Sequence, residues 1–194
     1  MEVLNLDLLE SGSMQGLTSK AGGFLLEACL VCLAHNGHSS GIAMQVDEAR
    51  DTIHFRLDWS GSVGEQETRT HADMQDATEW GACGVACLLI CKLTGLVVTR
   101  RSRKGTGFDY WLGSGLEKGS ATSLPFQDEA RLEVSGMLSE ERMSEINSRL
   151  REKTKQIKGG KRTDLTGYAV VLEFSRPLAK VKRLEGTDKS QRTA

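Results

Sequence analysis

Several things are scarce or missing in these 194 residues, and each absence excludes something. The longest apolar run, inside residues 82 to 91, falls well short of the roughly 18 residues of a membrane span, so no membrane protein is expected. Residues 1 to 10 hold Glu2, Asp7 and Glu10 and no base, so the basic flank, apolar stretch and small-residue site of an export signal are not seen. Cysteine numbers five, an odd count, and Cys83, Cys87 and Cys91 recur every fourth residue along one prospective helix face. Thiols placed so behave as small buried hydrophobes more often than as bridges, and a cytoplasmic location is expected. Glycine shows no triplet period, no internal repeat occurs, and a hydrophobic fraction of 39% with charges of both signs excludes disorder. There is no Walker spacing and no Gly-x-Ser-x-Gly elbow. Cys29-x-x-Cys32-x-x-His35-x-x-His38 has zinc-type residues, but three-residue steps along a helix carry the last ligands away from the first, so buried Cys and surface His are expected instead.

What is present is a chain long enough to bury a core without metal or disulfide staples. Net charge is −1, yet residues 1 to 97 carry 5 bases against 13 acids and residues 98 to 194 carry 20 bases against 13 acids. A basic half hints at a polyanion-binding face, with an acidic protein as the other partner of the same sign.

Periodicity divides the chain into elements. Phe24, Leu25, Ala28, Cys29 and Leu33 recur at helical spacing after Thr18 and stop at Asn36-Gly37. Ile42, Met44 and Val46, then Ile53, Phe55, Leu57 and Trp59, alternate as a hairpin with one buried face. Residues 60 to 74 lack period and read as a loop and hinge. A second helix, apolar on most of its circumference, runs from caps at Asp76 and Thr78 to Gly95, with Glu79 in its first turn. Three strands follow at 96–101, 108–112 and 130–134. A helix over 139–158 carries Met143, Ile146, Leu150 and Ile157, and strands follow at 167–174 and 179–184. The expected fold is therefore α/β, a mixed sheet with a helix-strand-strand-strand-helix-strand core over residues 76–184. An N-terminal helix and β-hairpin layer fills residues 1–75, and 185–194 form a polar tail.

Asp109 and Glu133 each interrupt a short apolar strand, where a carboxylate must be paired, protonated or metal-bound to offset several kcal/mol or so of desolvation. Strands lie about 4.8 Å apart, so two such carboxylates on one face can share a divalent cation, with Mg²⁺ the natural choice for oxygen ligands. The element order, with Glu79, Asp109 and Glu133 on the first helix, second strand and third strand, resembles the core of the PD-(D/E)xK nuclease-like superfamily over residues 76 to 175. The resemblance implies a restriction-endonuclease-like sheet, metal binding by Asp109 and Glu133 with Mg²⁺ or Mn²⁺ as cofactor, and a helical acid at Glu79 assisting through water. It also implies a lysine two residues after Glu133, where this chain has Ser135, and a proline before Asp109, where it has Phe108. Lys104, Lys118 and Arg131 are the substitutes nearest by sequence. Alternatively, Asp109 and Glu133 pair with Arg100, Arg101 or Arg131 in an inert sheet.

The segment Arg100-Arg101-Ser102-Arg103-Lys104-Gly105-Thr106-Gly107 leads directly to Asp109, and its bases and glycines suit backbone phosphates. Arg100, Arg101, Arg103 and Lys104 are the expected nucleic-acid contacts, with a solvated hairpin turn as the plainer reading. A second basic tract, from Arg149 to Arg162, reads as a wet helix face or a phosphate-tracking arm. The functional expectation is a magnesium-dependent nuclease, with catalytic residues Glu79, Asp109, Glu133 and Ser135, and with DNA favoured over RNA. The alternative is a non-catalytic subunit of the same fold that binds nucleic acid or protein. Residues 1–75 would then serve a protein partner or a homo-oligomer.

Overall fold

The computed structural model of the protein describes residues 1–12, 16–115, 128–139 and 143–187. Alternating apolar side chains in the first third form the expected hairpin: β2 (Ile42–Glu48) pairs antiparallel with β3 (Asp51–Asp58), placing Met44 opposite Phe55 and Ile42 opposite Leu57. Sequence gave no sign of β1 (Glu2–Asn5), four residues too short to show a period, which lies parallel to β3. A 3-10 turn over Leu6–Leu9 follows and buries Leu6 and Leu9 completely.

Helix α1 (Ser19–His35) begins where Thr18 Oγ1 accepts the Ala21 N–H and ends at Asn36, with Gly37 at a left-handed φ of 72°. Residues 60–74 are not all loop, because α2 (Glu65–Thr70) sits inside them and is again too short for periodicity to reveal. Helix α3 (Met74–Thr94) starts earlier than expected: the Asp73 carboxylate accepts the N–H groups of Gln75 and Asp76. Thr78 does not cap; its hydroxyl donates back to the Met74 carbonyl at 2.6 Å. Glu79 therefore falls in the second helical turn rather than the first.

β4 (Leu96–Arg101), β5 (Tyr110–Ser114) and β6 (Ala130–Met137) form an antiparallel meander. Helix α4 (Met143–Gly159) then crosses to β7 (Thr166–Glu173), which is parallel to β6, and β8 (Leu178–Leu184) returns antiparallel to β7. Asp109 thus precedes β5 by one residue instead of lying within it, and β6 extends past Ser135. The result is an α/β fold which, among the described residues, has four α-helices and a single mixed eight-stranded sheet, ordered β1-β3-β2-β8-β7-β6-β5-β4. The division at residue 75 separates no sheet, since β8 pairs with both β7 and β2.

Successive strand residues point to opposite faces, and the two faces carry different helices. Leu132, Val134, Val170 and Leu172 join the large core built on α1 and α3, whereas Val171 packs with Ile146 of α4 and Trp111 with Ile157 of α4. Glycine sets two close approaches. A Cβ on Gly81 would stand 2.8 Å from Cys29 Cα of α1, and one on Gly136 would stand 2.3 Å from the Thr78 carbonyl oxygen. The second contact seats the start of α3 directly on β6. Among the described residues α3 is the one helix with the length and composition of a membrane span; its apolar surface is taken up by α1 and the sheet.

Candidate active site

Continuing the β5–β6 register one step past Tyr110 opposite Leu132 brings Asp109 opposite Glu133. The backbone fixes Asp109 from both sides: its N–H donates to the Leu132 carbonyl at 2.8 Å, and its Oδ2 accepts the Val134 N–H at 2.8 Å. Glu133 is 1% exposed and its Oε1 accepts from Lys153 Nζ at 2.6 Å, while Oε2 is buried with no hydrogen-bond partner. Lys153 comes from α4, and its side chain is 21% exposed. Lys153 and Asp109 line a cavity of about 190 Å³ together with Glu79, Trp80, Cys83, Arg101, Val134 and Ser135. Glu133 lies below, reaching the cavity through these two neighbours. A second cavity of about 470 Å³ shares Glu79 and Ser135 and continues the groove between α3 and α4 to Arg149.

Three carboxylates, those of Glu79, Asp109 and Glu133, face two cations here, Lys153 and Arg101. Burial, then the adjacent Asp109 charge, push Glu133 up to about 7 against the pull of Lys153. Once protonated, the Glu133 carboxyl can donate to Asp109. Cys83 is no nucleophile: burial and the same Asp109 charge push its thiol up to about 12.

The chain matches no family model, no curated protein and no solved structure.

Among the described residues, no group of three or more His, Cys, Asp or Glu is arranged to hold a metal ion. A hard cation nevertheless fits the chemistry. Mg²⁺ keeps several waters and is commonly bound through one or two carboxylates and substrate phosphates. Asp109 lines the cavity, Glu133 has its orphaned Oε2, and the surplus negative charge would be offset by a divalent ion.

The structure brings Glu79, Asp109, Glu133 and Ser135 to one place but not all the expected bases. Arg100 is engaged by Asp128 at 2.5 Å and stacks 4.7 Å from the Trp111 centroid, turned from the cavity. Arg101 lines the cavity and lies 4.6 Å over the Trp80 ring. Arg103 and Lys104 are exposed in the β4–β5 turn, which is tied to the end of α4 by the Lys161 N–H on the Thr106 carbonyl at 2.8 Å. The inert pairing of the two acids with Arg100, Arg101 or Arg131 is not observed. Arg131 is buried and donates to the carbonyls of Ile157, Lys161 and Leu165 at 2.9–3.0 Å, holding the end of α4. Neither Arg131 nor Lys104 reaches the cavity, so neither replaces the lysine absent at Ser135; Lys118 lies outside the described residues.

Lys153 lies within the basic tract from Arg149 to Arg162, far in sequence from Ser135. Its signal was positional: Ile146, Leu150, Lys153 and Ile157 form one stripe at helical spacing, so this lysine sits on the buried face of a helix whose other bases face water.

Proposed function

We propose that the chain hydrolyses phosphodiester bonds of nucleic acid with a divalent metal. The site would be PD-(D/E)xK-like, with Lys153 taking the part of the lysine missing at Ser135. The observation that carries this reading is the contact of Lys153 with Glu133 beside Asp109. The order α3-β4-β5-β6-α4-β7, with β7 parallel to β6, supports it, being that of a restriction-endonuclease-like core.

Asp109, preset by the Val134 N–H, and Glu133 would hold the cation, which when bound supplies Lewis-acid polarisation of a phosphate oxygen and a more acidic water. Lys153 has three N–H donors and uses one on Glu133, with Gln156 at 3.5 Å a weak second partner. A remaining donor is available to hold a hydroxide or a phosphate oxygen, a role Ser135 cannot fill as a cation. Glu79 at the rim accepts from water, and Arg101 adds positive charge to the cavity wall.

A fluorogenic DNA substrate titrated with Mg²⁺ or Mn²⁺ tests this, with Asp109→Ala, Glu133→Ala and Lys153→Ala alongside. Each variant should lose about 100-fold or more of turnover while keeping its fold. Undiminished cleavage in both carboxylate variants would sink the assignment. Salt-sensitive binding with no cleavage would favour the alternative, a non-catalytic nucleic-acid-binding member of the fold.

A further inference from the structure

The mouth of the cavity carries a feature that hydrolysis alone does not require. Trp80 lines the cavity on α3, its indole covered by the Arg101 guanidinium 4.6 Å from the ring centroid. Phe24 of α1 meets the same indole at 5.9 Å with the rings inclined at 71°, and Phe24 is 42% exposed. Arg101 is exposed and forms no ion pair among the described residues, in contrast to its neighbour Arg100, which Asp128 neutralises. A flat cation on an aromatic ring, both beside the two carboxylates, presents a planar, positively charged surface.

We propose that an unpaired nucleobase stacks on the Trp80–Arg101 platform, so that the substrate is a single strand or a locally unpaired stretch. This rests on the reading that the cavity receives a polynucleotide. A duplex keeps its bases stacked on one another, and only a base outside that stack offers a face to a side chain. Aromatic rings and guanidinium planes are the surfaces on which such bases settle, without regard to sequence because every base has a π-face. The phosphate joined to the stacked nucleotide then lies toward Asp109 and Lys153, and the groove toward Arg149 gives the strand a path beyond Glu79 and Ser135.

The test is anisotropy of labelled dT₁₂, the matching RNA, a duplex of the same length and a dT₁₂ with consecutive abasic sites, measured in EDTA so that nothing is cut. Wild type should bind both single strands well above the duplex and the abasic strand. Trp80→Ala should lose about five- to a hundred-fold in single-strand affinity, with Trp80→Phe retaining most of it. Because Trp80 packs on Phe24, the surface change Arg101→Gln is a second probe. It should weaken binding to dT₁₂ more than to the abasic strand, whereas a purely phosphate-binding arginine would weaken both equally. Equal binding of single strand, duplex and abasic strand by wild type would overturn the proposal, as would wild-type affinity in both Trp80→Ala and Arg101→Gln. Cleavage that depends on Asp109 and Glu133 but ignores Trp80 removes the platform and leaves the nuclease. Stacking-dependent binding without cleavage does the reverse.

Discussion

Lys153 Nζ lies 2.6 Å from Glu133 Oε1, joining the middle of α4 to the buried centre of β6. The lysine replaces no residue on the strand; it reaches the same carboxylate from the helix packed over it. Its ammonium balances one of two adjacent carboxylates and leaves the other in deficit, and most of the site's behaviour follows from that imbalance.

Glu133 should make the metal-free fold less stable at neutral pH than in mild acid. Its carboxyl is raised from 4.5 to about 7, first by burial and then by Asp109, so in that window the folded state holds a proton that the unfolded chain has released. Stability therefore falls as pH rises from about 4.5 to about 7 and is level above it, by an amount on the order of a few kcal/mol. Urea unfolding in EDTA should show this slope in wild type and a flatter curve in Glu133→Gln, the gap between them closing toward pH 5. Parallel curves would mean that Glu133 is ionised throughout.

A divalent ion should relieve the same deficit. Millimolar Mg²⁺ or Mn²⁺ should raise the melting temperature of the nucleic-acid-free protein above pH 7, and less so near pH 5.5, where the proton competes for Glu133. Asp109→Asn should abolish the effect. A shift that persists in that variant would place the ion elsewhere.

The lysine should be transferable. Lys153→Ala is expected to lose nearly all metal-dependent cleavage, and Lys153→Ala with Ser135→Lys should regain a measurable part. Ser135 lines the same cavity and follows Glu133 by two residues on the same strand face. Turnover without gain in the double variant, at unchanged melting temperature, would tie the role to the helical position.

The basic residues before Asp109 should not act alike. Arg103→Gln and Lys104→Gln should each lower the slope of log affinity against log salt by about one, as expected for lost phosphate contacts. Arg100→Gln should leave it unchanged, because Asp128 and Trp111 already occupy that guanidinium. Equal slopes for all three would show that Asp128 releases Arg100 on binding.

Gly136→Ala should destabilise the fold by about 1–3 kcal/mol or more, since its Cβ would enter the space of the Thr78 carbonyl 2.3 Å away. Thermal unfolding reads this directly. The same change should lower cleavage beyond the loss of folded protein, because α3 would lift from β6 where Glu79 and Ser135 line the same cavity.

Sequence revealed most of this architecture where one face of an element is wet and the other dry. The hairpin at 42–58, the start of α1 at Thr18 and the strands of the C-terminal half follow from side-chain alternation or capping. Short elements such as β1 and α2 carry too few residues for a period. The start of α3 was displaced because Asp73, Asp76 and Thr78 are all competent caps, and only backbone geometry chooses Asp73. Asp109 and Glu133 were visible as charges interrupting apolar strands. Lys153 was not, since its distance from Glu133 is set by the packing of α4 rather than by any spacing along the chain.

β8 has a consequence for how the molecule assembles. It lies between β2 and β7, bonded to both, so the last of the described strands is the seam between the first hairpin and the strands β4 to β7. Until residues 178–184 are made, the growing chain holds two separate sheets, each with an unpaired edge. Seating β8 closes both at once across the longest sequence separation in the sheet, a late and entropically costly step during which those edges are open to other chains.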